Sequence, residues 1–117
     1  MSPDPAEQLP LKPVDLQLLL ALADGELHGY GLVLAIDRAT DGLLKLDPGN
    51  LYRVIKRLLD EGLVAEAPPR RPAGGEERRR YYRMTPLGRR VLVAELRRLQ
   101  SLVGSPAARA LIDGWAT

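Results

Sequence analysis

Asn50, Arg53, Lys56 and Arg57 recur at the three- and four-residue spacing that gathers side chains on one face of a helix. A guanidinium at Arg53 or Arg57 suits the two-pronged contact with a guanine edge, and Asn50 suits adenine or a phosphate near the helix start. A helix carrying such a face fits the DNA major groove. Further along, Arg70, Arg71, Arg78, Arg79 and Arg80 flank Pro68-Pro69, Pro72 and Gly74-Gly75. A pliable tip rich in arginine can follow the phosphate backbone or enter a narrow minor groove. Alone, either feature is an ordinary solvated charged surface. In succession, they make double-stranded DNA the expected partner.

The other side-chain chemistry of the chain is sparse. His28 is the only histidine and there is no cysteine, so a zinc site or a thiol nucleophile lacks its ligands. A lone histidine before Gly29-Tyr30 reads as a cap or turn residue. Asp60-Glu61 and Glu76-Glu77 are expected on exposed faces, where nothing shifts their pKa values toward acid-base work. Gly74-Gly75 lacks the Lys-Ser/Thr that completes a phosphate-binding loop. The chain is therefore expected not to be an enzyme and to need no metal or cofactor.

The elements that must position these residues follow from periodicity and caps. Pro13 can open a helix, and Val14–Ala23 is apolar nearly all round, which predicts a buried first helix stopped by Asp24-Gly25. Leu32, Ala35, Ile36 and Ala39 mark one face of a second helix over Gly29–Ala39. Leu43–Leu46 reads as a minimal strand. Asp47 and Pro48 then cap and open a third helix, in which Leu51, Val54, Ile55, Leu58 and Leu59 form an apolar stripe. Tyr52 borders the polar face, and Gly62 supplies the left-handed stop.

Leu63–Ala67 and Arg79–Thr85 read as two strands of a hairpin around the arginine-rich connector. Thr85-Pro86 starts a fourth helix reaching Val103, and a short last helix is expected over Ala107–Ile112. Leu92, Leu96, Leu99 and Val103 follow the spacing of a short coiled-coil seam, a candidate dimer interface. The expected fold is thus mainly α: a winged helix-turn-helix with a three-helix core, a two-stranded β wing and a C-terminal dimerisation helix. Residues 1–12 read as a loose arm, 13–85 as the winged helix and 86–117 as the dimerisation helix and tail.

Charge supports that division. The 117 residues carry a net +2, but residues 1–69 hold −5, residues 70–90 hold +6 and residues 91–117 hold +1. A positive segment beside an acidic body favours a polyanionic partner. With no phenylalanine, one tryptophan and four tyrosines, the core must be aliphatic. The longest apolar run, Leu16–Ala23, is too short to span a bilayer. Met1–Pro10 holds prolines and acids rather than the basic-then-apolar order of a signal peptide, so a cytoplasmic location away from membranes is expected.

Three stretches resemble the PadR family of winged-helix regulators. Leu27-His28-Gly29-Tyr30-Gly31 is similar to the family's L-H-G-Y segment. Asp47-Pro48-Gly49-Asn50-Leu51-Tyr52-Arg53, continuing through Lys56-Arg57-Leu58 to Glu61-Gly62-Leu63, is similar to its S-P-G-T-L-Y reader helix. Arg80-Tyr81-Tyr82-Arg83-Met84-Thr85-Pro86-Leu87-Gly88 is similar to the return strand of its wing and the helix after it.

The resemblance implies a DNA-binding repressor acting as a homodimer on a near-palindromic operator, often answering to a small aromatic effector. It implies that Tyr30, Asn50, Tyr52, Arg53, Lys56 and Arg57 face DNA. Asn50 stands where the family usually has Thr, Asp47 where it usually has Ser, and residues 86–103 contain no Trp. Two other readings remain beside this one: a winged-helix module for an acidic protein partner, and a sensor of hydrophobic small molecules without DNA binding of its own.

Overall fold

A computed structural model describes residues 4–68 and 80–115 of the chain. Pro13–Ala21 (α1), Gly29–Ala39 (α2) and Pro48–Asp60 (α3) form the expected three-helix core. Leu27–His28 (β1), Val64–Glu66 (β2) and Tyr81–Met84 (β3) form an antiparallel sheet in which β3 lies between the other two. Pro86–Val103 (α4) and Pro106–Trp115 (α5) follow. The result is the winged helix-turn-helix that the apolar spacing predicts, with Arg70, Arg71, Arg78 and Arg79 of the connector outside the described residues.

The core is aliphatic and is built where the stripes meet. Leu18 and Leu19 of α1, Leu32 and Ile36 of α2, and Leu51, Ile55 and Leu58 of α3 are all buried together. Each such side chain contributes about 1.5–3 kcal/mol by leaving water. Tyr82 on β3 seals one side, and burial raises the pKa of its phenol.

Three local features depart from the sequence expectation. The sheet gains a third strand, β1, which pairs Leu27 with Tyr82 and His28 with Tyr81. Two residues are too few for a period-two pattern to reveal. Leu43–Leu46 is not a strand: Asp41 and Gly42 adopt φ of 50° and 79°, and the Leu44 N–H donates to Thr40 Oγ1 at 3.1 Å, so the backbone turns. The arm is not loose over its described part. Pro5–Gln8 forms one 3-10 turn, and Leu9 and Leu11 pack against the core.

The wing joins the helices at a single corner. Gly62 has φ 77° and ends α3, with the Leu63 N–H donating to the Leu58 carbonyl at 2.9 Å. The Leu63 carbonyl in turn accepts from the Thr85 N–H at 3.1 Å. Thr85 Oγ1 accepts from the Gly88 N–H at 2.9 Å and donates to the Gly62 carbonyl at 2.6 Å, capping α4 while tying it to the end of α3. Gly88 is packed so closely that a Cβ there would stand 2.1 Å from the Leu63 carbonyl oxygen.

On α4 the inward face carries an acid. Glu95 is 1% exposed, and its carboxylate accepts from the Leu11 N–H at 2.7 Å and from Arg98 Nε at 2.5 Å. The Arg98 guanidinium holds Glu95 below the usual carboxylate range, against the opposing effect of burial and with help from the Leu11 N–H. The arm is thereby fastened to α4.

Two measurements test these contacts. Gly88→Ala should lower stability by about 1–3 kcal/mol, the usual effect of overpacking, read as a fall of several degrees in Tm; an unchanged Tm would rule out the close approach to Leu63. A carboxylate whose folded pKa is depressed stabilises the protein above its unfolded value of about 4.3, and that stability is lost as pH falls through the folded pKa. Urea titrations between pH 7 and pH 3 should therefore show Glu95→Gln less stable at neutral pH, with a shallower acid decline than the wild type. Parallel declines would remove Glu95 from the acid response.

Candidate nucleic-acid interface

The start of α3 is set by its own sequence. Asp47 Oδ1 accepts from the Asn50 N–H at 2.9 Å, and Pro48 occupies the first turn, where a missing N–H is harmless. With Leu51, Ile55 and Leu58 turned into the core, Asn50, Tyr52, Arg53 and Lys56 are left exposed on the opposite side, Tyr52 by 57%. The Asn50 amide is partly occupied, its Nδ2 donating to Asp47 Oδ2 at 2.9 Å.

The start of α2 lies against this helix. A Cβ on Gly29 would touch Leu51 Cδ2 at 3.4 Å. His28 has the capping role its position suggests, its Nδ1 accepting from the Gly31 N–H at 3.0 Å. Tyr30, one residue into α2, is 67% exposed. Tyr52, Arg53 and Lys56 are thus exposed along α3, and Tyr30 is exposed at the start of α2.

Arg57 corrects the sequence reading. It was expected to project with Arg53 and Lys56, but its two terminal nitrogens donate to the two oxygens of Asp15 on α1, both at 2.6 Å. Glu61, one turn on, lies 3.8 Å away. The hydrogen bond to Asp15 raises the Arg57 pKa beyond its already high value. Asp15 is 5% exposed at its side chain and Arg57 33%. The physical reason is that a carboxylate enclosed in an apolar helix face demands a partner, and a planar guanidinium satisfies both oxygens at once. Asp15 and Glu95 were the groups that sequence reasoning overlooked. Their signal was available: each is a lone acid on an otherwise apolar face.

In the wing, Arg80 is exposed and stands 3.8 Å from Glu66, a solvated pair worth little. Arg83 on β3 is also exposed. Arg78 and Arg79, the remaining expected contacts, lie outside the described residues.

The candidate dimer seam also shifts. Leu92 is buried in the core with Val91, because it lies on the same side of α4 as Gly88 and Glu95. Leu96 and Val103 are exposed and Leu99 is half-buried, and with Val93, Arg97 and Gln100 they line a shallow, mostly apolar groove. The outward register is Val93, Leu96, Gln100 and Val103, a three-four-three spacing that keeps two of the expected residues and replaces Leu92. Leu102, Leu111 and Ile112 expose further apolar surface on α4 and α5.

Among the described residues no cluster of histidines and acids could hold a metal ion, and no helix is long and apolar enough to cross a membrane. The chain is 37% identical over 96 residues to an uncharacterised 37.1 kDa protein of a Streptomyces fradiae transposon, covering 82% of this chain but 26% of that protein. It is 36% identical over 89 residues to a transcriptional regulator of Mycobacterium tuberculosis, covering 76% of this chain and 78% of the relative. The crystal structure of Bacillus subtilis PadR in complex with operator DNA shares the fold, with a TM-score of 0.63 and 22% identity over 73% of this chain and 47% of that one. Residues 18–94 match the PadR-like family of transcriptional regulators, a family of regulators rather than enzymes, and the chain belongs to it.

Proposed function

We propose that the chain is a repressor that binds a near-palindromic DNA operator as a homodimer in the cytoplasm. The observation that carries this reading is the exposed face of α3, where Asn50, Arg53 and Lys56 stand clear of a fully packed apolar stripe. Arg53 reads a base edge, Lys56 meets phosphate, and Tyr30 and Tyr52 contact the backbone on either side. Arg78, Arg79 and Arg80 hold the neighbouring phosphates from the wing. The reading is supported by the Bacillus subtilis PadR, a relative in fold that was solved on operator DNA. A polar and cationic reader face also fits nucleic acid better than it fits an apolar protein partner.

The homodimer reading is supported by the outward apolar register of α4, since Val93, Leu96 and Val103 are exposed and no described residue buries them. Two copies joined there would present two α3 helices to successive major grooves, about one helical turn apart. Repression then follows from occupancy of the promoter.

Fluorescence anisotropy against a duplex selected by the protein from a random library tests the DNA reading. Log affinity should fall linearly with log salt, by about 0.9 for each phosphate neutralised. Arg53→Ala should weaken binding by about 1–3 kcal/mol and relax specificity at one position, whereas Lys56→Ala should weaken all sequences alike and reduce the salt slope by about 1. A flat salt response would sink the electrostatic account. For the dimer, Leu96→Glu should yield monomers in sedimentation and weaken operator binding together; dimers that persist would place the interface elsewhere.

A further inference from the structure

We infer that Asp15 is a positioning residue for DNA recognition, which sets the rotation of α3 through its two-pronged bond to Arg57 and withholds Arg57 from DNA. The inference rests on the reading of α3 as the DNA-contacting helix. Arg57 sits one turn after Arg53 and beside Lys56, so by spacing alone it belongs with them. Its guanidinium instead places both terminal nitrogens on Asp15 at 2.6 Å, with Glu61 Oε1 3.8 Å from Nη1, one of the same two nitrogens. The three groups together carry one net negative charge, which makes this end of α3 a poor landing site for phosphate.

The competition between Asp15 and DNA for Arg57 is decided by burial. If Arg57 swung out to a phosphate, Asp15 would be left charged, nearly solvent-free and unpaired, and an orphaned buried charge is penalised far more than one exposed phosphate contact gains. Arg57 therefore stays where it is when DNA arrives.

The pair also supplies something the surrounding core lacks. Contacts of Leu18 and Leu19 with Leu58 are non-directional and tolerate a helix turning about its axis. A planar fork on a carboxylate tolerates little rotation. Because Arg53 and Lys56 project from the adjacent turn, any rotation of α3 carries them away from the groove positions they must reach.

The test compares the whole wild-type chain with variants on two duplexes, one selected from a random library by the wild type and one of scrambled sequence. Asp15→Asn, assayed where circular dichroism shows it folded, should lose about tenfold of its preference for the selected duplex, the discrimination of one misplaced base contact. Its affinity for the scrambled duplex should not fall, and a steeper salt slope marks the release of Arg57 that the pairing with Asp15 prevents. Should Asp15→Asn fail to fold, Arg57→Lys keeps the charge but only one prong, and the same loss of preference is expected without a change of slope.

A salt slope lowered by about 1 in the double variant Asp15→Asn/Arg57→Gln, which leaves no buried charge unpaired, would overturn the inference, because it would mark Arg57 as a phosphate contact already made in the wild type. A lowered Tm with unchanged preference would also overturn it, leaving the pair a purely structural tie. A wild type without preference for any duplex would fail the regulator reading itself. That result is distinct from a loss confined to the variants.

Discussion

The helix α3 has to serve two environments at once, and the rest of the molecule is arranged around that demand. Leu51, Ile55 and Leu58 leave water completely, and α1, α2 and the sheet supply the apolar surface that receives them. Only because that side is filled can the other side leave Asn50, Arg53 and Lys56 exposed. A helix of thirteen residues would be marginal alone, so its length and straightness depend on this burial more than on propensity.

Two buried acids refine an otherwise aliphatic assembly. Apolar contacts bring helices together but leave their rotations loosely defined, whereas a carboxylate with both oxygens satisfied admits few arrangements. Asp15 joins α1 to α3 through Arg57, and Glu95 joins α4 to the arm through the Leu11 N–H with Arg98 as counter-charge. A third constraint lies at Leu63, whose carbonyl receives the Thr85 N–H and faces Gly88 at a separation no side chain permits. The end of α3, the described strands of the wing and the start of α4 therefore meet at one corner.

α4 faces two ways like α3, with Val91, Leu92 and Glu95 inward and Val93, Leu96 and Val103 outward. The difference lies in what covers the outer side. On α3 it is polar and cationic; on α4 it holds the exposed Val93, Leu96 and Val103, with Arg97 and Gln100 beside them in the groove. The two helices thus expose faces of opposite chemistry.

Much of this was legible before any coordinates. The caps at Asp47 and Thr85, the glycine stop at Gly62 and the apolar stripe of α3 are local properties, determined by residues within a turn or two of one another. The family's three motifs come from the same segments. What the tertiary structure decided depends on residues far apart in the chain. Nothing near Arg57 in sequence says that Asp15, forty-two positions earlier, will claim its guanidinium. Likewise, periodicity could not tell which side of α4 would meet the core, and so it put Leu92 on the wrong one. Spacing determines which side chains share a face. Only the packed fold, by making an enclosed charge find its partner and an apolar side chain find cover, decides which way that face is turned.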